Sequence, residues 1–302
     1  MAFPTEQNRP CALLTGHDGF TGRYLVPELK AAGYDVVGLS RGYSAGLAAI
    51  DADLLDPAAV RDAVETTRPD LVIHLAAISF VAHDDIDEMY RVNLVGTRNL
   101  LAGLANVHAP RLVILASSAN VYGNAEVEPI TEDTAPAPTN DYAVSKLAME
   151  YMARTWMDRL PIVITRPFNY TGVGQSSRFL IPKIVDHFRR KASDIELGNT
   201  RVWRDFGDVR DVARAYLNIA RAAPAGQTLN ICSNTAHSLD EVIAMMTDMA
   251  GYRIKVKVNP AFVRANEVVR LVGSNARLKK ETGAASCTPL RTTLEWMYSA
   301  AD

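Results

Sequence analysis

CALLTGHDGFTG, residues 11–22, joins a short apolar run to a glycine-rich turn. The apolar residues 11–14 predict a strand, and the pattern from Phe20 to Ala32 predicts a helix that starts inside the turn. Backbone N–H groups at such a strand-to-helix corner can hold a pyrophosphate, because they point at the ligand from the positive end of the helix. A glycine cluster alone is equally typical of a tight turn. The phosphate-binding interpretation therefore depends on the pattern of the rest of the chain.

Further apolar segments alternate with helical patterns along the chain. A helix is clearest from Asp208 to Ala223, where apolar residues recur at the helical period. Alternation of this kind predicts an α/β fold, a Rossmann-type doubly wound parallel sheet with helices on both faces. The predicted strands lie at residues 11–16, 35–40, 71–76, 111–117, 162–166 and 228–232.

The strand–helix alternation loosens after residue 168 and returns for the last predicted strand. This pattern predicts a smaller, discontinuous α+β domain that binds the substrate. We expect residues 1–168 and 207–232 to form the cofactor-binding domain, and residues 169–206 and 233–302 to form the substrate domain.

Ser118, Tyr142 and Lys146 form a candidate proton-handling group. Tyr142 and Lys146 are four residues apart, so on a helix both can face the same pocket. Ser118 follows a predicted strand, and side chains at the carboxyl ends of parallel strands reach the active crevice. A Tyr/Lys pair at this spacing is also common on solvated helix faces. Together with the glycine turn, however, the three residues favour a nicotinamide-dependent oxidoreductase.

The composition is typical of a soluble enzyme. The chain has 302 residues, 48% hydrophobic and 22% charged, which is enough to bury a large core. The net charge is −2 and the basic residues are scattered, so we expect no nucleic-acid partner. The first ten residues lack an apolar signal core and no run resembles a membrane span, so we expect a cytoplasmic protein without a membrane partner. The separated cysteines and histidines predict neither a disulfide framework nor a metal site.

In combination, these segments resemble the extended short-chain dehydrogenase/reductases that act on nucleotide-sugars, a family of 4-epimerases, 4,6-dehydratases and 4-keto reductases. The resemblance covers nearly the whole chain and implies the same fold, a nicotinamide cofactor and a nucleotide-sugar substrate. Its markers, in the expected order, are TGxxGFxG at 15–22, Asp53-Leu54, HLAA at 74–77, NxxGT at 93–97, SSxxVYG at 117–123, YxxxK at 142–146 and RPFN at 166–169.

The resemblance implies roles for the matching catalytic residues. Ser118 orients the sugar carbonyl or hydroxyl, Tyr142 is the acid or base, and Lys146 binds the nicotinamide ribose and lowers the phenol pKa. A free phenol has a pKa of about 10, so bringing it near 7 requires about 4 kcal/mol of preferential phenolate stabilisation. A nearby ammonium and a positive nicotinamide ring can supply it. The predicted cofactor-binding residues are Gly16, Gly19, Phe20, Gly22, Ser40, Arg41, Asp53, Leu54, Leu75, Ala76, Ala77 and Asn93, with Tyr142 and Lys146.

The end of the second predicted strand indicates which dinucleotide binds. An NAD site usually places an acid about twenty residues after the glycine turn, where it binds the ribose 2′-hydroxyl. This chain has Ser40 and Arg41 there instead, and both can bind a 2′-phosphate. NADP is therefore favoured, with NAD as the alternative if Arg41 is only a solvated strand end.

Two arginine segments in the predicted substrate domain are suited to a diphosphate. Arg204 lies in WRDF and Arg264 in RANE, which ends at Glu267. A guanidinium binds phosphate bidentately, and Glu267 can accept a ribose hydroxyl. Surface ion pairing is the alternative, but nucleotide-sugar enzymes carry similar segments for these contacts, and Asn169 matches a diphosphate-binding position. The predicted substrate-binding residues are Ser79, Asn169, Lys183, Arg204, Arg264 and Glu267.

The residues after Ser118 narrow the reaction. Family members that dehydrate a hexose carry an acid just after the Ser or Thr, because elimination needs extra proton transfers. This chain has Ala119 and Asn120, neither of which is an acid or base at neutral pH. Hydride transfer at C4 remains, either within an epimerisation or as the net reduction of a 4-keto sugar.

NADP preference favours net reduction, since the epimerases of this family retain NAD. The segments around Gln175, Arg204 and Glu267 most resemble reductases of GDP-4-keto-6-deoxy-D-mannose that form GDP-D-rhamnose. We therefore expect an NADPH-dependent reductase of a GDP-linked sugar. The alternatives are an NDP-sugar 4-epimerase with tightly bound NAD and a non-catalytic nucleotide-sugar or NADP-binding protein, which the intact catalytic group disfavours.

One position departs from the family pattern. The family usually has Pro before the active tyrosine, and this chain has Asp141. A carboxylate that pointed towards Tyr142 would raise the phenol pKa. We expect Asp141 to cap the helix instead, because Asp is favoured at the start of helices.

The resemblance also implies a homodimer. The family commonly dimerises through two helices, expected here at about 88–105 and 143–159. The apolar residues that could serve this interface, or the core, are Leu94, Leu101, Leu147, Met149 and Met152.

Overall fold

The structure is a computed structural model that describes residues 9–42, 46–80, 83–262, 268–284 and 287–300. The strands in these ranges are β1 Cys11–Thr15, β2 Asp35–Ser40, β3 Ala49–Asp51, β4 Leu71–His74, β5 Leu112–Ala116, β6 Ile162–Pro167, β7 Asn169–Thr171, β8 Asp194–Leu197, β9 Trp203–Asp208, β10 Thr228–Ile231, β11 Ala236–Ser238, β12 Lys255–Val258 and β13 Arg270–Leu271. The helices are α1 Phe20–Ala31, α2 Pro57–Thr67, α3 Ile86–Tyr90, α4 Thr97–Val107, α5 Asp141–Arg154, α6 Leu180–Arg189, α7 Val209–Ala222, α8 Leu239–Ala250, α9 Ala276–Thr282 and α10 Leu290–Ser299.

A seven-stranded parallel sheet forms the larger part of the fold. Its strand order is β10-β6-β5-β4-β1-β2-β3, which confirms the Rossmann-type α/β prediction. All six predicted strands are present, and the predicted helix that begins at Asp208 is α7, with Asp208 as its N-cap. The strands are apolar on both faces because helices cover both sides of the sheet.

Two apolar cores lie on opposite faces of this sheet. Leu14 packs towards α1 and α7, whereas its neighbour Leu13 packs towards α2, α4 and α5. Successive side chains of a strand point to opposite faces, so one strand feeds both cores. The turn after β1 is thereby held between two packed layers.

The remaining elements build a second region with its own core. β7, β9, β11 and β13 form one small sheet, and β8 pairs with β12. Helices α6, α8 and α10 cover a separate apolar cluster that includes Ile184, Val242 and Leu294. This region takes its strands from residues on both sides of β10, as a discontinuous substrate domain would. The exact domain boundaries stay a prediction.

Within the described ranges, no helix has the length and apolarity needed to cross a bilayer.

Candidate active site

A large cleft runs along the carboxyl ends of β1, β2, β4, β5 and β6. Its volume is about 1770 Å³, well above the 300–1,000 Å³ or so of ordinary small-molecule pockets. It has room for a dinucleotide and a second ligand together. One wall comes from the parallel sheet and its loops, and the other comes from α6 and β9. Ligands bind at this edge of open α/β sheets.

The glycine-rich turn forms one end of the cleft and has no space for side chains. Gly16 has a φ of +69°, and a Cβ on Gly22 would lie 2.3 Å from the Gly16 carbonyl oxygen. Gly19 is the N-cap of α1 and supplies no side-chain cap bond. The N–H groups of the first turn are therefore left for a ligand, and a pyrophosphate fits this cradle.

The next part of the cleft fits the adenosine end of a dinucleotide. It is lined by four residues predicted to bind the cofactor: Ser40, Arg41, Asp53 and Leu54. Asp53 is partly used by the protein itself, since its carboxylate accepts a hydrogen bond from the Leu55 N–H (2.8 Å). Arg41 is exposed at the cleft edge, where its guanidinium can meet a 2′-phosphate.

Ser118, Tyr142 and Lys146 converge in the middle of the cleft, and all three are buried. Helix α5 places Tyr142 and Lys146 one turn apart on the same face, and the hydroxyl groups of Ser118 and Tyr142 are hydrogen bonded. The Lys146 ammonium donates to the Ala116 carbonyl oxygen at the end of β5 (2.8 Å). The predicted catalytic group is therefore assembled in one place.

Burial sets the protonation states of this group. It raises the pKa of Tyr142 to about 12, although the hydrogen bond with Ser118 acts in the opposite direction. Burial also lowers the pKa of Lys146 to about 8, opposed by the negative charge of Glu150. At neutral pH the phenol is protonated and most of the amine is charged. The pKa of Tyr142 is raised here, so the lowering of the phenol pKa by Lys146 stays a prediction for the site with its cofactor bound.

The start of α5 corrects one prediction. The helix is capped by Asn140, whose side chain accepts from the Ala143 N–H (2.9 Å). Asp141 is the first helical residue, and its carboxylate accepts a hydrogen bond from the Tyr90 hydroxyl (3.0 Å). Asp141 is therefore engaged with Tyr90 on the protein surface and is not the cap.

Asn93 does not line the cleft, contrary to the expectation for a cofactor-binding residue. Its side chain exchanges hydrogen bonds with the backbone of Ile78, at 2.9 and 3.1 Å, and donates to Ser145 (3.0 Å). Leu75, Ala76 and Ala77 precede Ile78 and do line the cleft. Asn93 thus supports the loop that carries these residues, from a π-helical segment at Arg91–Gly96.

The histidine of β4 is a buried core residue. His74 contacts the hydroxyl groups of Thr15 (2.7 Å) and Thr97 (2.9 Å). Burial and the nearby Lys146 charge lower the pKa of His74 to about 3. It is therefore neutral and holds β1, β4 and α4 together.

Four of the six predicted substrate-binding residues line the cleft: Ser79, Asn169, Lys183 and Arg204. The buried amide nitrogen of Asn169 has no hydrogen-bond partner among the described residues, as suits a group that binds a ligand. Lys183 donates to the Glu196 carbonyl oxygen (2.8 Å), and Arg204 to that of Trp203 (2.9 Å). Arg264 and Glu267 lie outside the described residues. The individual roles of all these side chains stay predictions.

Aromatic residues complete the walls, and one of them, Phe20, was predicted from the sequence. Phe80 and Phe179 meet edge to face, with ring centroids 6.2 Å apart, and both line the cleft. Phe20 stacks on Tyr170 at 6.0 Å, and the Tyr170 hydroxyl contacts Thr21 (2.7 Å). The aromatic residues beside the predicted sites Ser79 and Asn169 were the available signal, but only the tertiary structure brings the pairs together.

Comparison with protein families gives a match over most of the chain. The model of the NAD dependent epimerase/dehydratase family matches residues 12–232. This range contains the glycine turn, the catalytic group and nearly all of the parallel sheet.

Several characterised proteins are similar over nearly their whole length. The GDP-6-deoxy-D-talose 4-dehydrogenase of Aggregatibacter actinomycetemcomitans is 32% identical, over 95% of this chain and 96% of its own. The GDP-6-deoxy-D-mannose reductase of Pseudomonas aeruginosa is 35% identical, over 89% of this chain and 90% of its own. The solved structure of RMD from Pseudomonas aeruginosa, complexed with NADPH, superposes with a TM-score of 0.85 at 33% identity, covering 96% of this chain and 98% of its own.

Proposed function

The chain belongs to the NAD dependent epimerase/dehydratase family and is a nucleotide-sugar-modifying oxidoreductase, and from this premise we propose that it reduces GDP-4-keto-6-deoxy-D-mannose to GDP-D-rhamnose with NADPH. The observation that carries the proposal is the buried pair of Ser118 and Tyr142, in which the phenol is protonated at neutral pH. A reductase needs an acid at the carbonyl oxygen, and a neutral phenol is one. NADP is favoured over NAD, in agreement with the NADPH complex of RMD.

Each catalytic residue has a defined task in this reaction. NADPH, when bound, supplies the hydride that reduces C4. Tyr142 donates its proton to the C4 oxygen as negative charge develops there, and Ser118 hydrogen-bonds to the same oxygen. Lys146 holds a positive charge one helical turn away and stabilises the phenolate that remains.

The residues after Ser118 favour reduction over dehydration. Ala119 is buried, and Asn120 lines the cleft without an ionisable group. Elimination across C5 and C6 needs an acid and a base in addition to the tyrosine. The chain supplies neither at these positions.

The names of the two relatives suggest which sugar is the substrate. Both names refer to GDP-linked 6-deoxyhexoses, and talose and mannose differ only in configuration at C4. Hydride addition to opposite faces of one 4-keto sugar would give the two products. We propose the manno product because the reductase segments of this chain resemble enzymes that form GDP-D-rhamnose.

The direct test is to mix the enzyme, NADPH and enzymatically prepared GDP-4-keto-6-deoxy-D-mannose without oxygen, and to follow NADPH absorbance. The product is then separated by chromatography against GDP-D-rhamnose and GDP-6-deoxy-D-talose. NADPH oxidation with GDP-D-rhamnose as the product is expected. The talose product would overturn the stereochemical part of the proposal, and no oxidation of NADPH would overturn the whole.

Two alternative functions predict different results when the same purified enzyme is assayed for bound cofactor and for turnover. An NDP-sugar 4-epimerase would release tightly bound NAD on denaturation and would form product without added NADPH. A non-catalytic binding protein would bind NADPH but turn over no 4-keto sugar.

Replacement of Arg41 by Ala should shift the cofactor preference. We expect the ratio of kcat/KM for NADPH over NADH to fall by about 10- to 100-fold, because a hydrogen bond to a charged group contributes about 1.5–3 kcal/mol. The rate with NADH should change little. Arg61→Ala is the control, since Arg61 is an exposed arginine outside the cleft. An unchanged ratio in Arg41→Ala would mean that the 2′-phosphate is bound elsewhere.

We propose that the protein forms a homodimer through α5 and the segment before α4. Three large apolar side chains are exposed there: Val95 (41%), Val144 (39%) and Tyr151 (62%). Val144 and Tyr151 are seven residues apart on α5, so they share one face. The apolar residues left open between interface and core belong to the core. Leu101 and Met149 are fully buried in it, and Leu94, Leu147 and Met152 are partly buried against it.

The Val144→Asp variant should be monomeric at concentrations where the wild type is dimeric, because a carboxylate in an apolar interface is left without a partner. Light scattering coupled to size-exclusion chromatography measures the mass. Val258→Asp is the control, since Val258 is a 62% exposed valine on β12, away from this face. A dimer that survives Val144→Asp would place the interface elsewhere.

A further inference from the structure

A buried ion pair lies behind the catalytic residues, and the proposed reaction does not use it. The carboxylate of Glu150 accepts two hydrogen bonds from the Arg166 guanidinium, at 2.9 and 2.6 Å. It accepts a third from the Ser117 hydroxyl (2.6 Å). Glu150 is 1% exposed and Arg166 is 2% exposed. Buried pairs of this kind are costly to desolvate, so stability alone is a weak reason for having one.

The pair is aligned with the active site through two elements. Tyr142, Lys146 and Glu150 follow each other at intervals of four residues on α5, so they lie along one helix face. At the end of β5, the Ala116 carbonyl oxygen accepts a hydrogen bond from the Lys146 ammonium. The hydroxyl of the next residue, Ser117, donates a hydrogen bond to Glu150. Lys146 and Glu150 are therefore held side by side against the same stretch of backbone.

From this arrangement we propose that Glu150 is a positioning residue, which fixes the catalytic face of α5 and keeps Lys146 a cation beside Tyr142. The proposal rests on the proposed function, because it assumes that Tyr142 and Lys146 carry the reaction. Hydrogen bonds from Arg166 and Ser117 orient the Glu150 carboxylate. The negative charge of Glu150 then acts on Lys146 from within the protein, where solvent screening is weak.

The other groups that face Lys146 cannot replace this charge. His74 on β4 is neutral, and Tyr142 is a protonated phenol. The phenols of Tyr170 on β7 and Tyr216 on α7, which lie around Tyr142, have pKa values raised by burial and are also neutral. Glu150 is the anion that opposes the effect of burial on the pKa of Lys146.

The test measures the titration of Lys146 directly, so it does not depend on turnover. Carbon-13 NMR of ε-labelled lysine follows each amine with pH, and the signal of Lys146 is the one missing in Lys146→Met. The variants are Glu150→Gln, the double variant Glu150→Gln with Arg166→Met, and Ser117→Ala. The double variant removes the Arg166 charge together with that of Glu150, so no unpaired guanidinium is left in the core if the single variant fails to fold.

We expect the Lys146 midpoint to fall by about one pH unit in Glu150→Gln, because the ammonium loses a nearby opposite charge. In the double variant it should fall by less, because the positive charge of Arg166 is lost together with that of Glu150. If Lys146 sets the alkaline limb of the reductase pH profile, that limb should move down in the same direction. Ser117→Ala keeps the carboxylate and its Arg166 partner, so the Lys146 midpoint should fall less than in Glu150→Gln. An unchanged Lys146 midpoint in the double variant would overturn the proposal. Absence of turnover in the wild type would overturn the proposed function instead, and the NMR titration would still decide the role of Glu150.

Discussion

Replacement of Tyr142 by Phe should lower the rate of NADPH-dependent reduction by about 10²- to 10⁴-fold, the contribution typical of a positioned general acid. Phe keeps the ring and removes only the hydroxyl that donates the proton. The buried ring of Tyr142 keeps its packing in the variant, so the fold should change little. The measurement is kcat from NADPH absorbance, with NADPH binding followed by fluorescence.

The matched control is Tyr151→Phe, on the same helix. Tyr151 does not line the cleft, so loss of its hydroxyl should leave both kcat and NADPH binding near the wild-type values. If Tyr142→Phe retains more than about a tenth of the wild-type rate, which is well above the range for a lost acid, another group must protonate the sugar. In Tyr142→Phe we expect kcat to fall while NADPH still binds. Retained NADPH binding would show that the variant is folded and that only the catalytic step is impaired.

The parallel sheet was predictable because its strands are buried on both faces. A run such as Leu71–His74 or Leu112–Ala116 is apolar along nearly its whole length, and each run lies next to a helical period. Local pattern and tertiary structure therefore agree there. The glycine turn was also predictable from local sequence. Its backbone conformation and the close approach of its backbone atoms require glycine at fixed positions.

The small strands of the second region were not predictable from local pattern. β9 reads WRDFGD, which is largely polar, and it becomes a strand by pairing with β7, β11 and β13 from distant parts of the chain. Within it, Arg204 lines the cleft but Asp205 is fully buried. The Asp205 carboxylate accepts from the backbone N–H groups of Ser233 and Asn234, both at 2.8 Å. Such a long-range bond leaves no periodic signal in the sequence.

The candidate site also contains residues that local sequence predicts and residues whose roles depend on tertiary contacts. Ser118, Tyr142 and Lys146 follow from a strand end and a helical spacing, and the structure assembles them. The roles of Asn93 and Glu150 depend on which loop or strand lies against them. Neither residue has a neighbour in sequence that reveals its partner. Motif positions thus predict the groups that touch ligands better than the groups that hold them.

Replacement of Gly22 by Ala should weaken NADPH binding by about 100-fold or more, because it displaces backbone that would make charged hydrogen bonds of about 1.5–3 kcal/mol each. A Cβ at this position would lie 2.3 Å from the Gly16 carbonyl oxygen and 2.5 Å from the His17 Cα. Both contacts are backbone, so relief requires the turn itself to move. The free energy of unfolding should also fall by about 1–3 kcal/mol, as for other overpacked sites. Fluorescence titration with NADPH and thermal unfolding measure the two effects.

Gly103→Ala is the matched control, because Gly103 is also a buried glycine inside a helix. A Cβ there would meet Val60 at 3.4 Å and Val64 at 3.6 Å, which are ordinary contacts with side chains of α2. Alanine in a helix is favoured over glycine by about 1 kcal/mol, so this variant should be at least as stable as the wild type and should bind NADPH normally. The two substitutions add the same methyl group and differ only in what it meets. If Gly22→Ala bound NADPH as well as Gly103→Ala does, the turn after β1 would not be the pyrophosphate cradle, and the cofactor would have to enter the cleft in another orientation.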